Sequence, residues 1–376
     1  MTPAEALAYL RLARTEGVGA QTYRRLLDRF LRPQAALDAL PGFSRGRLKP
    51  PPEADIRREW DAVDKLGGRF LFIGHPGYPV LLAELHDPPP VLAMLGDPAA
   101  LSGSAVAIVG ARNASAGGRR IAEELAEALA KAGQVVVSGA ARGIDAAAHL
   151  GALRARALGS EGRGGRTVAA VAGGIDQPYP PEHGPLQQRI AAEGGAIVSE
   201  APFGTAPLAR HFPRRNRIIA GLSLGVVVVE AAHRSGTLIT ARMGLEAGRE
   251  LYAVPGSPLD PRCRGSNDLI RQGAHLVETA EDVLEHLPPA PRDLPLFPPS
   301  PRWNLSGSGQ EPAAEPPTDS DDTTQVIELI GPSAVSVDEV MRRCHLSPSA
   351  VQAILLDLEL SGRVELLPGN RVALFG

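Results

Sequence analysis

At 376 residues, with 44% hydrophobic and 22% charged, the chain is long enough to bury a large core and to divide into more than one domain. Its net charge of -3 excludes a protein that is basic over its whole surface, so any affinity for a polyanion must come from local clusters. Lys49, Lys65 and Lys131 are the only lysines, which leaves arginine to form such clusters. Cys263 and Cys344 lie far apart without Cys-x-x-Cys spacing, against a disulfide scaffold or a zinc site. No apolar run reaches the roughly 18 residues of a membrane span, and the N-terminal stretch has no signal-like apolar region. A cytoplasmic protein without membrane contact, metal or cofactor is expected.

The first predicted element is a helical module over 1–48. Its stretch "ALAYLRLARTEGVGAQTYRRLLDRF" carries two helical periods around Gly17-Val18-Gly19. Two helices joined by a Gly-x-Gly turn resemble a helix-hairpin-helix, whose turn amides hold a backbone phosphate at a helix N-terminus. A helical pair that only packs is the other reading. A Pro-rich break at 41–55 separates this module from the body, predicted over 53–287 with a lead-in segment at 53–104.

From residue 105 a strand, loop, helix pattern repeats. "AVAIVG" (105–110), "QVVVSG" (134–139), "RTVAAVAGG" (166–174), "GAIVSE" (195–200), "LGVVVVEA" (224–231) and "ELYAVPG" (250–256) are short Val/Ile/Ala runs with helical sequence between them. Nearly continuous apolar runs suit strands buried on both faces, so a doubly wound, mostly parallel α/β sheet is predicted. Residues 288–322, rich in Pro, Ser and Gly, read as a disordered linker. The tail, 323–376, reads as three helices, the last capped by Ser347 ahead of Pro348, then a hairpin around Pro368-Gly369-Asn370. That order is a winged helix. Its last helix carries Asp357 and Glu359 and no basic residue, which argues against reading duplex DNA and for protein contact or positioning.

Ligands of open α/β sheets sit at the carboxyl ends of the strands, so the strand-to-helix loops hold the candidate site. "GARNASAGG" (110–118) brings backbone N–H groups together for an anion, yet has neither the Gly-x-Gly of a dinucleotide fingerprint nor a Walker lysine. The second strand ends in Ser138-Gly139, where a nicotinamide dinucleotide would need a carboxylate. Asp145 and Asp176 of two Gly-Ile-Asp elements are expected to order turns, although Asp145 and His149 have the i, i+4 spacing of an acid/base pair. "SEAPFGTAPLARHFPRRNRIIAGLS" gathers Arg210, His211, Arg214, Arg215 and Arg217 with Phe203 and Phe212. Arginine forks match phosphate oxygens and an aromatic face stacks on an unpaired base, so a groove for single-stranded nucleic acid is predicted. One arginine, Arg217 above all, is expected to close on Glu200 or Glu230 and hold the loop. A last loop, Ser235-Gly236-Thr237, resembles that of nucleotide hydrolases of related fold, whose Pro-Gly-Gly-x-Gly-Thr-x-x-Glu motif would put its acid at Thr240. An enzyme acting on nucleotides is therefore the alternative to a binding protein, with an interaction scaffold third.

In the order "VGARNASAGG", "SGAARGIDAAAHLGAL", "GGIDQPYP", "SEAPFG", "FPRRNRIIAGLS", "VVEAAHRSGTLITARMGLEAGRELYAVPG" and "GSNDLIRQGAHLV", these segments resemble the DNA-processing protein A family, also called Smf. The resemblance covers most of the chain. It implies a Rossmann-like core that binds and protects single-stranded DNA, forms a homodimer, and loads a RecA-type recombinase without catalytic turnover. It also implies DNA-binding roles for Gly110 and Arg112 after the first strand, Ser138 and Gly139 after the second, and Arg210, Phe212, Arg215, Asn216 and Arg217 in the fourth loop.

Overall fold

The computed structural model describes residues 1–290 and 320–374, apart from 45, 158–164, 332–333, 345, 362 and 368–370. Most of the predicted linker and the Pro368-Gly369-Asn370 turn lie outside the described residues. Two compact units emerge, Met1–Arg57 with the described part of Pro299–Gly376, and Arg58–Pro298.

The first unit starts with α1 (Pro3–Ala13), opened by a capping box in which Thr2 and Glu5 each accept the other's backbone N–H. Gly17, at φ +83°, makes the turn into α2 (Ala20–Phe30). A third helix, α3 (Pro33–Phe43), follows, where the sequence suggested only a pair; Leu37 and Leu40 bury its inner face. Helix α4 (Glu53–Lys65) leads out of the module.

The second unit holds the sheet. Strand β1 (Arg69–Phe72), helix α5 (Val80–Ala83) and strand β2 (Val91–Gly96) form the lead-in, with Trp60 of α4 against the rings of Phe70 and Phe72. Then come β3 (Ala105–Gly110), α6 (Ala116–Lys131), β4 (Val135–Ser138), α7 (Ile144–Ala157), β5 (Thr167–Ala170), α8 (Gly184–Ala192) and β6 (Ala196–Ser199). The unit continues through α9 (His211–Gly221), β7 (Gly225–Val229), α10 (Gly236–Glu246), β8 (Glu250–Ala253), α11 (Arg264–Arg271), β9 (His275–Leu276) and α12 (Ala280–His286). All six predicted strands are present. The sheet has nine, in the order β1-β2-β6-β5-β4-β3-β7-β8-β9; β2 runs antiparallel to both its neighbours, β1 and β6, and the other pairings are parallel. The antiparallel edge and β9 are additions to the predicted sheet, because these strands lack the long Val runs of the central ones.

Alternation along the strands divides the core into two layers. Ala107 and Val109 of β3 and Val226 and Val228 of β7 pack on Ile218, Ile219 and Ala241 of α9 and α10. Val106, Ile108, Val227 and Val229 face Leu125 and Leu129 of α6 and Ala148 of α7. Burial on both faces is why these runs carry no polar alternation.

The tail completes the first unit with α13 (Ser320–Leu329), β10 (Val335–Ser336), α14 (Val337–Arg343), α15 (Pro348–Leu360), β11 (Val364–Leu367) and β12 (Arg371–Leu374). Strands pair in the order β10-β12-β11, and Ser347 accepts the Ala350 N–H to cap α15, so the winged-helix order holds. Among the described residues no helix is long and apolar enough to cross a membrane.

Candidate nucleic-acid interface

The strand order reverses between β3 and β7, where the loop after β3 meets the end of β7; beside it, the loops after β3, β4 and β5 meet the start of α9. Helix α9 supplies the cations in two tiers, because its period turns some arginines to the sheet and others to solvent.

Arg215, one turn before the buried Ile219, points inward and is 6% exposed. Its guanidinium donates to the carbonyls of Gly139 and of Ala170, the latter at 3.1 Å, and its Nε donates to Asn216 Oδ1 at 3.1 Å. A Cβ at Gly139 would overlap that guanidinium, so glycine is needed there to let the arginine reach the strand ends. Arg217 is also buried: it grips both carboxylate oxygens of Glu200, at 2.8 and 2.7 Å, and donates to the Asp87 carbonyl. It holds the loop after β6 to the lead-in segment, the bracing part foreseen for it. Its fork is engaged by Glu200 and Asp87.

Three arginines stand outside. Arg112 and Arg210 are exposed, and Arg214 is 66% exposed with only a 3.4 Å contact to Glu200. Arg112 lies over the ring of Phe212 at 4.8 Å, and Arg215 approaches the same ring from within at 5.6 Å. Tyr179, 42% exposed, meets Phe212 edge-on at 5.6 Å. An exposed tyrosine, a half-buried phenylalanine and a guanidinium plane thus share one rim. Gly143, at φ +77°, fixes the place of Arg112, since a Cβ there would strike the carbonyls of Ala111 and Arg112. The positive field is felt at His211, which burial, and then Arg210 and Arg214, hold below the usual histidine pKa.

The other glycine-loop residues are spent on structure. Ser138 is fully buried and donates to the Ile108 carbonyl at 2.7 Å, and Gly139 is buried under Arg215, so neither side chain nor Cα faces a ligand. Gly110 gives its carbonyl to Thr237 Oγ1 at 3.0 Å, and a Cβ on it would strike Val229 and Ile144. The three are expected as phosphate-loop residues; the contacts they make here are structural ones, between strand ends and Arg215 or Thr237. At the start of α6, Glu230, in the left-handed region at φ +53°, accepts both the backbone N–H of Ser115, at 2.9 Å, and its hydroxyl. The anion position of this loop is filled by the chain's own carboxylate.

Asp145 and His149 do not form an acid/base pair. Asp145, wholly buried, accepts from Ala141 N at 3.3 Å and faces Arg215; burial pushes its carboxyl up, while Arg215 and Arg112 oppose this. His149 Nδ1 donates to Thr167 Oγ1 at 2.7 Å, since that hydroxyl already donates to the Val136 carbonyl. Burial, then the charges of His183 and Arg215, push it down to about 3, so the ring is neutral. Asp176 orders loops as expected, accepting from Gly204 N at 2.8 Å. Glu230, Asp260 and Cys263 bring possible ligand atoms within 4.8 Å of one another, but Ser115 holds Glu230 and Arg262 holds Asp260 at 2.7 Å. Burial pushes the Cys263 thiol up, so the trio is a packed polar cluster. Tyr179 was missed in the sequence; its signal was an aromatic in a strand-to-helix loop. Arg142, which spans to Glu182 and ties the second loop to the third, was missed as well.

Against known proteins, the family model for DNA recombination-mediator protein A matches residues 69–288. A DprA winged helix domain matches 310–370 and a DprA-like N-terminal HHH domain matches 3–62. Protein Smf of Escherichia coli is 39% identical over 297 residues, covering 79% of this chain and 75% of that protein. DNA processing protein DprA of Bacillus subtilis is 44% identical over 228 residues, 60% and 74% of the two chains. The X-ray structure of DprA from Streptococcus pneumoniae superposes with a TM-score of 0.63 at 31% identity, over 77% of this chain and 99% of that one. DNA processing protein A from Helicobacter pylori, described for its single-stranded DNA binding mode, superposes with a TM-score of 0.50 at 27% identity, over 58% and 94%.

Proposed function

The chain belongs to the DNA-processing protein A family, also called Smf, and from that premise we propose that it binds single-stranded DNA along the rim of Arg112, Arg210, Arg214, Phe212 and Tyr179. One observation carries the reading: the exposed Arg112 lies over the half-buried ring of Phe212, beside the exposed Arg210 and Arg214, while Arg215 and Arg217 are anchored inside. An arginine that covers an aromatic presents a cation for phosphate beside a face for an unpaired base. Arg215 and Asn216 act from beneath by fixing Phe212. Arg217 acts by holding the loop.

The wider role follows from the family: protection of exposed strands, loading of a RecA-type recombinase by direct contact, a homodimer, and no turnover. The working division is a module at 1–48, a core at 53–287, a linker at 288–322 and a winged helix at 323–376, in the cytoplasm. A nucleotide-hydrolysing activity is disfavoured by Glu230, whose carboxylate takes the place a phosphate would need at α6.

Salt dependence tests this. Four neutralised phosphates give a log–log slope of about -3 on a single strand, roughly a 50-fold affinity loss between 50 and 200 mM salt. Mobility shifts with single- and double-stranded oligonucleotides should favour the single strand at every salt. A flat salt response, or equal affinity for both, removes the rim from the account. Release of a base or phosphate from nucleotides, abolished by one loop substitution, would put the enzyme reading in its place.

A further inference from the structure

In a winged helix the last helix ordinarily enters the major groove, but here its outer face is already engaged. At about 100° per residue, Asp357 and Glu359 flank Leu356 on α15, away from Ile354, Leu355 and Leu358, which build the tail's core. Leu356 is 2% exposed without belonging to that core, and α15 packs against α2 of the N-terminal module. On α2, Arg25 and Arg29 sit one turn apart on one face. Arg25 meets Glu359 at 2.9 Å and Arg29 meets Asp357 at 2.7 Å, with all four side chains between 26% and 32% exposed.

We infer that the arginine face of α2 is a second surface for nucleic-acid phosphates, and that Asp357 and Glu359 of α15 cover it until a strand displaces them. Three features support this. The two carboxylates present paired negative charge to two arginines whose Cβ atoms stand about 5–6 Å apart on one helix face, as a polyanion would. The N-terminal end of α2 is also open to anions: its cap is Gly19, without a side-chain hydrogen bond, and its first turn holds no acid. The cover is held weakly. Burial pushes both carboxyls up despite the facing arginines, so the ionised acids are under-compensated, and pairs that keep a quarter to a third of their surface in water are screened by salt. This surface is separate from the rim, and its ligand is phosphate backbone without base reading.

The test uses the full chain, a labelled oligo(dT) strand and fluorescence anisotropy across salt. The amide variant Asp357→Asn with Glu359→Gln keeps shape and removes the covering charge. Its affinity should rise about threefold to tenfold at low salt, and its log–log slope should steepen by about 1.4 for two added single-strand phosphates. Adding Arg25→Gln and Arg29→Gln should return both values to those of the parent. A parent-like slope in the amide variant overturns the proposal, as does a gain that survives loss of the arginines. Repeating the comparison with Phe212→Ala separates this surface from the rim: the same steepening is expected there even if rim binding is absent, and no steepening there counts against the inference alone.

Discussion

The rim and the layer directly beneath it are made of the same residue type, and Arg214 and Arg215 are even adjacent, yet they do opposite things. Arg214 is 66% exposed and barely touches Glu200, whereas Arg215 is buried against two carbonyls and Arg217 against a carboxylate. Guanidinium in water is a charge to be offered to an anion. Guanidinium inside a protein is already consumed, and losing it strands its partner. The outer tier therefore governs affinity and the inner tier governs stability.

The sharpest way to break this distinction is Arg217→Ala, which takes from the part-buried Glu200 its contacts at 2.8 and 2.7 Å and from Asp87 a donor to its carbonyl. Chemical denaturation should show a loss of about 3 kcal/mol, and Arg217→Lys should recover only part, because a single ammonium cannot span Glu200 and the Asp87 carbonyl as Nη2 and Nη1 do. A loss no larger than that of a surface substitution would place Arg217 in the outer tier after all.

A smaller effect comes from His149, in the same inner layer. Its folded pKa of about 3 lies below the unfolded value of about 6.5, so the unfolded chain binds the extra proton. The stability it contributes is complete above about pH 6.5 and is lost as pH falls toward 3, by about 2 kcal/mol at pH 5. His149→Asn should flatten that part of the pH–stability curve. An unchanged curve would mean that the ring is not neutral in the folded chain.

Phe212→Ala removes a stacking face on the outer side, worth about 1–3 kcal/mol per base. Strand affinity should fall about tenfold with the salt slope nearly unchanged. Arg112→Ala should do the reverse, moderating the slope by about 0.7 and lowering affinity evenly across sequences, with stability within about 0.5 kcal/mol of the parent. Identical effects from the two substitutions would dissolve the division of labour proposed for the rim.

Much of the architecture was legible in the chain. The runs "AVAIVG", "VVVS" and "GVVVV" could satisfy their apolar side chains only as strands covered on both faces, and they do. Strands β1 and β9 were not legible, since an edge strand of few residues takes its identity from the neighbour it pairs with, and β2 was not because its run follows a Pro-rich stretch and lacks the Val/Ile repeat of the central strands. Among site residues, Arg112 and Phe212 fell where the loops of such a sheet must lie. Ser138 and Gly139 fell there too, where a buried hydroxyl and a carbonyl meet Ile108 and Arg215. Tyr179 carried only the weak signal of an aromatic in a loop.

The sequence by itself determined that arginines and aromatics would gather at the carboxyl ends of a parallel sheet, because apolar runs and helical periods leave the loops no other place. Tertiary structure alone decided which of those arginines are available. Burial and hydrogen bonding depend on which carbonyl or carboxylate arrives from a distant segment: Gly139 for Arg215, Glu200 for Arg217, Glu230 for Ser115 and Glu359 for Arg25. That pairing is set by three-dimensional distance, and spacing along the chain carries no record of it.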